Sequence, residues 1–515
     1  MPRILTQVCR DPTSPLYGCA DRNWWHYKIR DFSSIILQQA GYAAHLAAQL
    51  PDWQADKTAL DALAGASARF WNTRAQKHYA FEEYYPWEQG YPPLAFSTLA
   101  MAKLAAAGVV PADELRPGMR VAQRQLRTRL EDKAANQQVA GLAALAWADK
   151  MLPDTADAGA FARQKERTLA LQHAEGWFWE YDGPDLGYLA VTIDCLWDLY
   201  DATGDEDFRT SIRRALDFTA RFTVAAPGGV GLHNSRNTDY LVPYGIVRSA
   251  LEGEGQERRD AAQVALWAFA RADAPGHFFA AVDDRYICHY IGQSVMRSLL
   301  LLQERSIEPI PPAPPAPMLS AGSGHYLEQD FIVSCRKGGI FTLVRGRAEA
   351  NDFGWIIERG GTQWVTHWWS NVWTFRQEAG ALLIDGPFFP HKERLSTPLK
   401  HMVLRILSFV FGRRLIALLK RVLIFKRTPA GPTFSRHIER DGEDLLVTDL
   451  IRGLQATDAL LRAPRASKRH VASADSFHRQ DLQDTQGFSR GEERTETPEG
   501  LRIVTRYRPA TGQAA

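Results

Sequence analysis

Between residues 82 and 91 the chain reads EEYYPWEQGY, which sets Glu82, Glu83 and Glu88 among Tyr84, Tyr85, Trp87 and Tyr91. Two carboxyl groups flanking a glycosidic bond are what a glycoside hydrolase needs, and Asp182, Asp185 and Asp194 offer the second member of such a pair. The same mixture serves plain sugar binding, because aromatic faces accept the C–H side of a pyranose while acids bond its hydroxyls. Further on, HNSRNTDYLVPYG (233–245) carries Arg236, Asn237, Tyr240 and Tyr244. A guanidinium there can grip a carboxylate with two parallel hydrogen bonds, and the Asn and tyrosines can line a sugar subsite. His289 in RYICHYIGQ and His367 in VTHWWSNVW are candidate bases; a lone histidine in such a place also serves as a satisfied core or surface group. No GxxxxGK[ST], helix-opening GxGxxG, HExxH or GxSxG is present, so nucleotide, zinc-protease and serine-hydrolase chemistry has no support. Scattered His and Asp indicate no metal and no cofactor.

The elements that must hold these residues change character once along the chain. At 515 residues the chain exceeds one ordinary core. From about Phe32 to Leu302 apolar residues recur at three and four residues in segment after segment, for example NQQVAGLAALAWADKM and YLAVTIDCLWDLYDATG, punctuated by Gly, Pro and Asp. Ten to twelve helices exceed a simple bundle, and antiparallel pairs wound into an (α/α) toroid bury them economically. IEPIPPAPPAPM (307–318) then reads as an extended, semi-rigid spacer. Beyond it short alternating runs such as EDLLVTDLIRG and LRIVTRYRP read as antiparallel strands of a β-sandwich. The expected layout is therefore a toroid over 1–306, a linker over 307–318 and a β-sandwich over 319–515.

Charge and cysteine usage bound the partners. With 61 Lys and Arg against 59 Asp and Glu the net charge is +2, so attraction to a polyanion must come from local patches and nothing points to nucleic acid. Five scattered cysteines with no CxxC pair argue against a disulfide framework or zinc site. The N-terminal residues contain no apolar secretory core and no apolar run of spanning length follows; a cytoplasmic location is expected, and export would require a start upstream of the residue read as Met1. Residues 397–429 break the strand pattern with eight Lys and Arg, an apolar background and no acid. They read as one amphipathic helix, lying either on an anionic membrane surface or on the protein itself.

Several stretches resemble the heparinase II/III-like family of (α/α)-toroid polysaccharide lyases: YGCADRNWWHYKIRDFSSIILQQAGY near the start, 82–98, AANQQVAGLAALA (134–146), 175–205 and 233–245. Together they cover most of residues 17–300. The resemblance implies β-elimination on a uronic-acid polysaccharide, in which a base removes the proton beside the sugar carboxylate while fixed donors neutralise that carboxylate. It implies Asn136 as a neutralising group, although Gln137 stands where the family has His; an Asn at a helix start also serves as an N-cap. Tyr188 is implied as acid and base, with Tyr181 beside it, and His367 as a base reaching in from the second domain; Arg236 can hold the phenol ionised or bind the uronate, and His289 remains a candidate base from its own position. Glu83, Tyr85, Trp87, Glu88, Tyr181, Asn237, Tyr240 and Tyr244 are the expected substrate contacts. The competing expectations are a protein that binds acidic polysaccharide during its synthesis or export without cleaving it, and a hydrolase using paired carboxylates.

Overall fold

The computed structural model describes residues 1–51, 56–76, 81–180, 183–225, 241–269, 282–303, 305–308, 325–328, 331–335, 341–345, 348–352, 354–366, 373–378, 380–391, 396–419, 430–463 and 488–509. Helices occupy the first part and antiparallel sheets the second. After two short helices, Pro2–Gln7 and Arg22–Trp25, the principal ones are α1 (Ala40–Ala48), α2 (Lys57–Gln76), α3 (Tyr91–Ala106), α4 (Ala112–Thr128), α5 (Ala135–Met151), α6 (Ala158–Leu169), α7 (Leu186–Thr203), α8 (Glu206–Ala225), α9 (Tyr244–Glu252), α10 (Gly255–Phe269) and α11 (Tyr290–Leu302).

Odd and even helices differ, and the sequence says why. Thirteen of the seventeen residues of α5 are buried against seven of seventeen in α4, since Ala, Gly, Leu and Val surround the middle of α5 while α4 is apolar on one stripe only. The odd helices pack in succession, α1 on α3, α3 on α5, α5 on α7, α7 on α9 and α9 on α11, and α11 returns to α1. Each even helix covers the odd helix beside it in sequence. Small residues set the spacing: a Cβ on Gly141 of α5 would meet the Tyr91 hydroxyl at 2.3 Å, so only glycine admits that ring.

The middle of this circuit is charged. Asp198 of α7 receives Lys103 of α3 and Arg297 of α11, and the Arg297 guanidinium lies 3.3 Å from the Tyr244 ring centroid. Asp194, one turn earlier, accepts the Gly245 N–H and the Ser294 hydroxyl, each at 2.6 Å. Burial pushes Asp194 up to about 6 and Lys103 down to about 8, as desolvation disfavours either charge. Paired as they are, these groups staple four helices; breaking one pair would strand the other member in the core.

The strands are β1 (His325–Glu328), β2 (Phe331–Cys335), β3 (Phe341–Arg345), β4 (Ala348–Asp352), β5 (Trp355–Arg359), β6 (Thr362–Val365), β7 (Thr374–Glu378), β8 (Ala381–Pro387), β9 (Phe389–His391), β10 (Thr433–Asp441), β11 (Asp444–Arg452), β12 (Ala459–Arg462), β13 (Phe488–Thr497) and β14 (Gly500–Pro509). They form a β1-β2-β3-β4 sheet, a six-stranded sheet in the order β13-β14-β11-β10-β8-β7, and a β12-β5-β6-β9 sheet. Trp355, Ile357 and Val365 of the last share one core with Leu382, Ile384, Phe434, Val447 and Ile503 of the six-stranded sheet. Strict alternation of burial along β11 follows from the period-two pleat.

Between β9 and β10 the chain forms α12 (Pro398–Phe411) and α13 (Arg413–Leu419). The single helix expected over 397–429 is therefore corrected: Gly412, at φ 49° and ψ −128°, ends α12, a backbone geometry that a side chain would strain. Residues 420–429 lie outside the described residues.

Candidate site at the starts of the inner helices

The beginnings of α3, α5 and α11 lie together with the segment leading into α7. Tyr91 donates its hydroxyl to Gln138 at 3.0 Å, the Phe96 and Tyr290 rings are 5.0 Å apart, and the Ala135 N–H donates to the Trp179 carbonyl. The 82–91 loop is held over this end. Glu82 accepts the Trp87 N–H at 2.7 Å, which fixes Trp87 at a φ of 58°, a conformation rare outside glycine. Glu88 turns inward and accepts the N–H groups of Glu83 and Tyr84 at 2.9 and 2.7 Å. Arg129 donates to the Gln89 carbonyl at 2.7 Å and ties the loop to the end of α4.

Glu83 and Glu88 are both buried. Arg285 stands 3.4 Å from the Glu83 carboxylate. Burial, with the charge of Glu83 as the next cause, pushes Glu88 up to about 8, so its carboxyl holds a proton at neutral pH. Tyr85 and Trp87 are half-buried; the Trp87 ring packs edge-on against Phe409 of α12, centroids 5.4 Å apart.

Beside the loop sits a cluster of which the sequence alone singles out His289. Arg285 lies 5.1 Å from the Tyr84 ring centroid, the Tyr84 and Tyr286 hydroxyls are 3.5 Å apart, and the Tyr286 ring lies 4.8 Å from His289. His289 is the N-cap of α11 and is buried. Tyr84 is 54% exposed, so the cluster opens to solvent through it. In RYICHYIGQ, Arg285 and Tyr286 stand four and three residues before His289; Tyr286 and Tyr290 are both buried.

Asn136 is placed differently from expectation. The N-cap of α5 is Ala134, and the capping acceptor is Glu180, whose carboxylate takes the Asn136 N–H at 3.1 Å and its side-chain amide at 2.7 Å. The protein's own carboxylate thus occupies the amide that a uronate would need. Next to Glu180, Trp177 is buried and Trp179 39% exposed.

Tyr188 begins α7 as expected, with Asp185 as N-cap accepting its N–H at 3.0 Å, and is buried. Asp194 and Tyr244 belong to the charged interior: Tyr244 is buried under Arg297 and accepts from Arg248 at 3.0 Å. The structure therefore brings together Glu83, Glu88, Tyr85, Trp87 and His289, and sets Tyr244 inside the helical circuit. Tyr181, Asp182, Arg236, Asn237, Tyr240 and His367 lie outside the described residues. Among the described residues no group of three or more His, Cys, Asp or Glu could hold a metal ion.

Compared with known proteins, the sequence matches no protein-family model and no curated protein.

Proposed function

We propose that the chain is a polysaccharide lyase of the heparinase II/III-like kind, with the odd helices as the inner ring of an (α/α) toroid and the later sheets as its β-sandwich. The observation that carries the reading is the grouping of a histidine, two tyrosines and an arginine at the start of α11, reached from solvent through Tyr84. Elimination on a uronic-acid polymer needs those three kinds of group. Arg285 meets the sugar carboxylate and lowers the cost of the enolate-like charge. His289 takes the proton beside that carboxylate, the C–O bond to the departing sugar breaks as the ring C=C forms, and Tyr84 protonates the leaving oxygen. Tyr84 and Trp179 offer aromatic faces for neighbouring sugars. The starts of α3, α5 and α11 also turn their positive dipole ends toward this side, which favours a polyanion.

A second reading, binding without cleavage, is favoured by the Asn136–Glu180 pair, because it removes one expected neutralising donor. One experiment separates them. The protein is incubated with a panel of uronic-acid polysaccharides, and the ultraviolet absorbance of unsaturated uronate is followed with binding. Cleavage reduced at least about 100-fold in His289→Ala and in Tyr84→Phe, with binding kept, is the expected result. Binding without product, unchanged in both variants, would establish the second reading; new reducing ends without unsaturation would mean hydrolysis through the Glu83 and Glu88 carboxyls.

A further inference from the structure

α12 is mounted with its apolar side outward. It is held to the protein by the Ser408 hydroxyl, which donates to the Pro86 carbonyl at 2.9 Å, by the exposed Arg405–Asp31 pair and by one edge of Phe409 on Trp87. Leu399, Met402, Val403, Ile406, Phe409 and Val410 face solvent, each between 46% and 66% exposed. At 100° per residue these six positions fall within about 120° of the helix circumference. They form one stripe. Of the fifteen large apolar side chains exposed among the described residues, eight lie between 399 and 418, so this is a patch and not the ordinary scatter of single exposed residues. A helix that served only to cover the protein would turn the stripe the other way.

We infer that α12 and α13 dock the protein onto an anionic lipid surface, with the α12 stripe in the headgroup boundary and Lys400 and Arg414 on the lipid phosphates. The charge selects this occupant. Residues 397–429 carry eight Lys and Arg and no Asp or Glu, and Lys400 and Arg414 are exposed beside the stripe. A second copy of the chain would set like charge against like, and a polysaccharide would satisfy the cations while leaving the stripe in water. Only a surface that is apolar beneath an anionic layer meets both features. The geometry fits lying on a bilayer, not crossing it. Fourteen residues of α12 span about 21 Å, short of the ~30 Å hydrocarbon core, and Gly412 then turns the chain. No helix among the described residues is long and apolar enough to cross a membrane.

This inference goes beyond the polysaccharide reading and stands or falls separately from it. It also bears on the site, since α12 rests on Trp87 and on the Pro86 carbonyl of the 82–91 loop; a protein so docked would work on polymer at the membrane face. Flotation of the full chain with phosphatidylglycerol/phosphatidylcholine vesicles, with pure phosphatidylcholine vesicles as control, tests it. Binding to the anionic vesicles is expected, weakening as salt rises, and falling at least about tenfold in Val403→Ser/Ile406→Ser/Val410→Ser. Those three side chains face solvent, so the thermal midpoint of the triple variant should match the unmodified chain, which separates lost docking from lost folding. Lys400→Glu/Arg414→Glu should weaken binding to the anionic vesicles with the stripe intact. Failure of the unmodified chain to float with anionic vesicles, equal binding to pure phosphatidylcholine, or an undiminished triple variant would overturn the inference. So would a dimer that the triple variant dissolves without any vesicle binding, which would assign the stripe to a second copy.

Discussion

In the sheets, Arg436 of β10 lies opposite Asp449 of β11 in register and holds its carboxylate at 2.6 and 2.9 Å. Asp352 accepts Arg462 and the Tyr507 hydroxyl, each at 2.6 Å, and the nearby guanidinium groups hold it well below the usual carboxylate range against the effect of burial. Every charge there is matched. At the starts of the inner helices the matching is incomplete: Glu83 has Arg285 beside it, whereas Glu88 bonds backbone N–H groups and is pushed by burial up to about 8. Matched buried charge fixes one packing, and mismatched buried charge is the ordinary mark of a place where protons or ionic ligands are handled.

The largest effect should come from breaking the matched network. Arg436→Ala leaves Asp449 and Asp352 buried with a cation missing, and should cost about 3–5 kcal/mol in urea unfolding of the sheet region. A loss under about 1 kcal/mol would mean that water reaches these carboxylates and that the contrast with the helical end is false.

The mismatched end should instead show itself through pH. Because Glu88 is raised from 4.5 to about 8, the folded chain holds a proton there that the unfolded chain has released. Its contribution to stability is complete below the unfolded value and is lost as pH rises toward 8. Glu88→Gln imitates the protonated form, so variant and parent should be equally stable near pH 4. Near pH 9 the variant should be more stable, by about 3–5 kcal/mol. Parallel stability curves for the two proteins would show that Glu88 ionises normally.

Local pattern in the sequence carried the order of elements, because hydrophobic period changes from 3.6 to 2 wherever the backbone does. It also located the 82–91 loop and the start of α11. What it could not carry were facts set by tertiary partners. Asn136 looks like a cap until Glu180, 44 residues away, takes that work. A helical wheel drawn over 397–429 runs through Gly412, where the helix stops, and assigns no inside: Leu415 is buried while Ile406 is 61% exposed. Arg285 and Tyr286 do not stand out beside His289 in the sequence, because nothing in the string shows that Tyr84 lies against them.

The smallest effect is the sharpest test of what the mismatched end is for. Glu180 places a buried carboxylate on Asn136, so an approaching uronate meets a negative charge where the helix start would otherwise offer a donor. Glu180→Gln keeps an oxygen for the Asn136 N–H groups and removes that charge. At an effective dielectric between protein and water, one charge several ångströms from the polymer is worth about 1 kcal/mol, or roughly a fivefold gain in affinity for an acidic polysaccharide. The gain should shrink as salt is added, and a neutral glucan should bind both forms alike. If elimination uses Asn136, turnover should rise with affinity; if Asn136 only caps α5, affinity should rise alone. Equal affinity of parent and variant for the acidic polymer at low salt would place the polymer elsewhere on the protein and leave Glu180 as a helix cap.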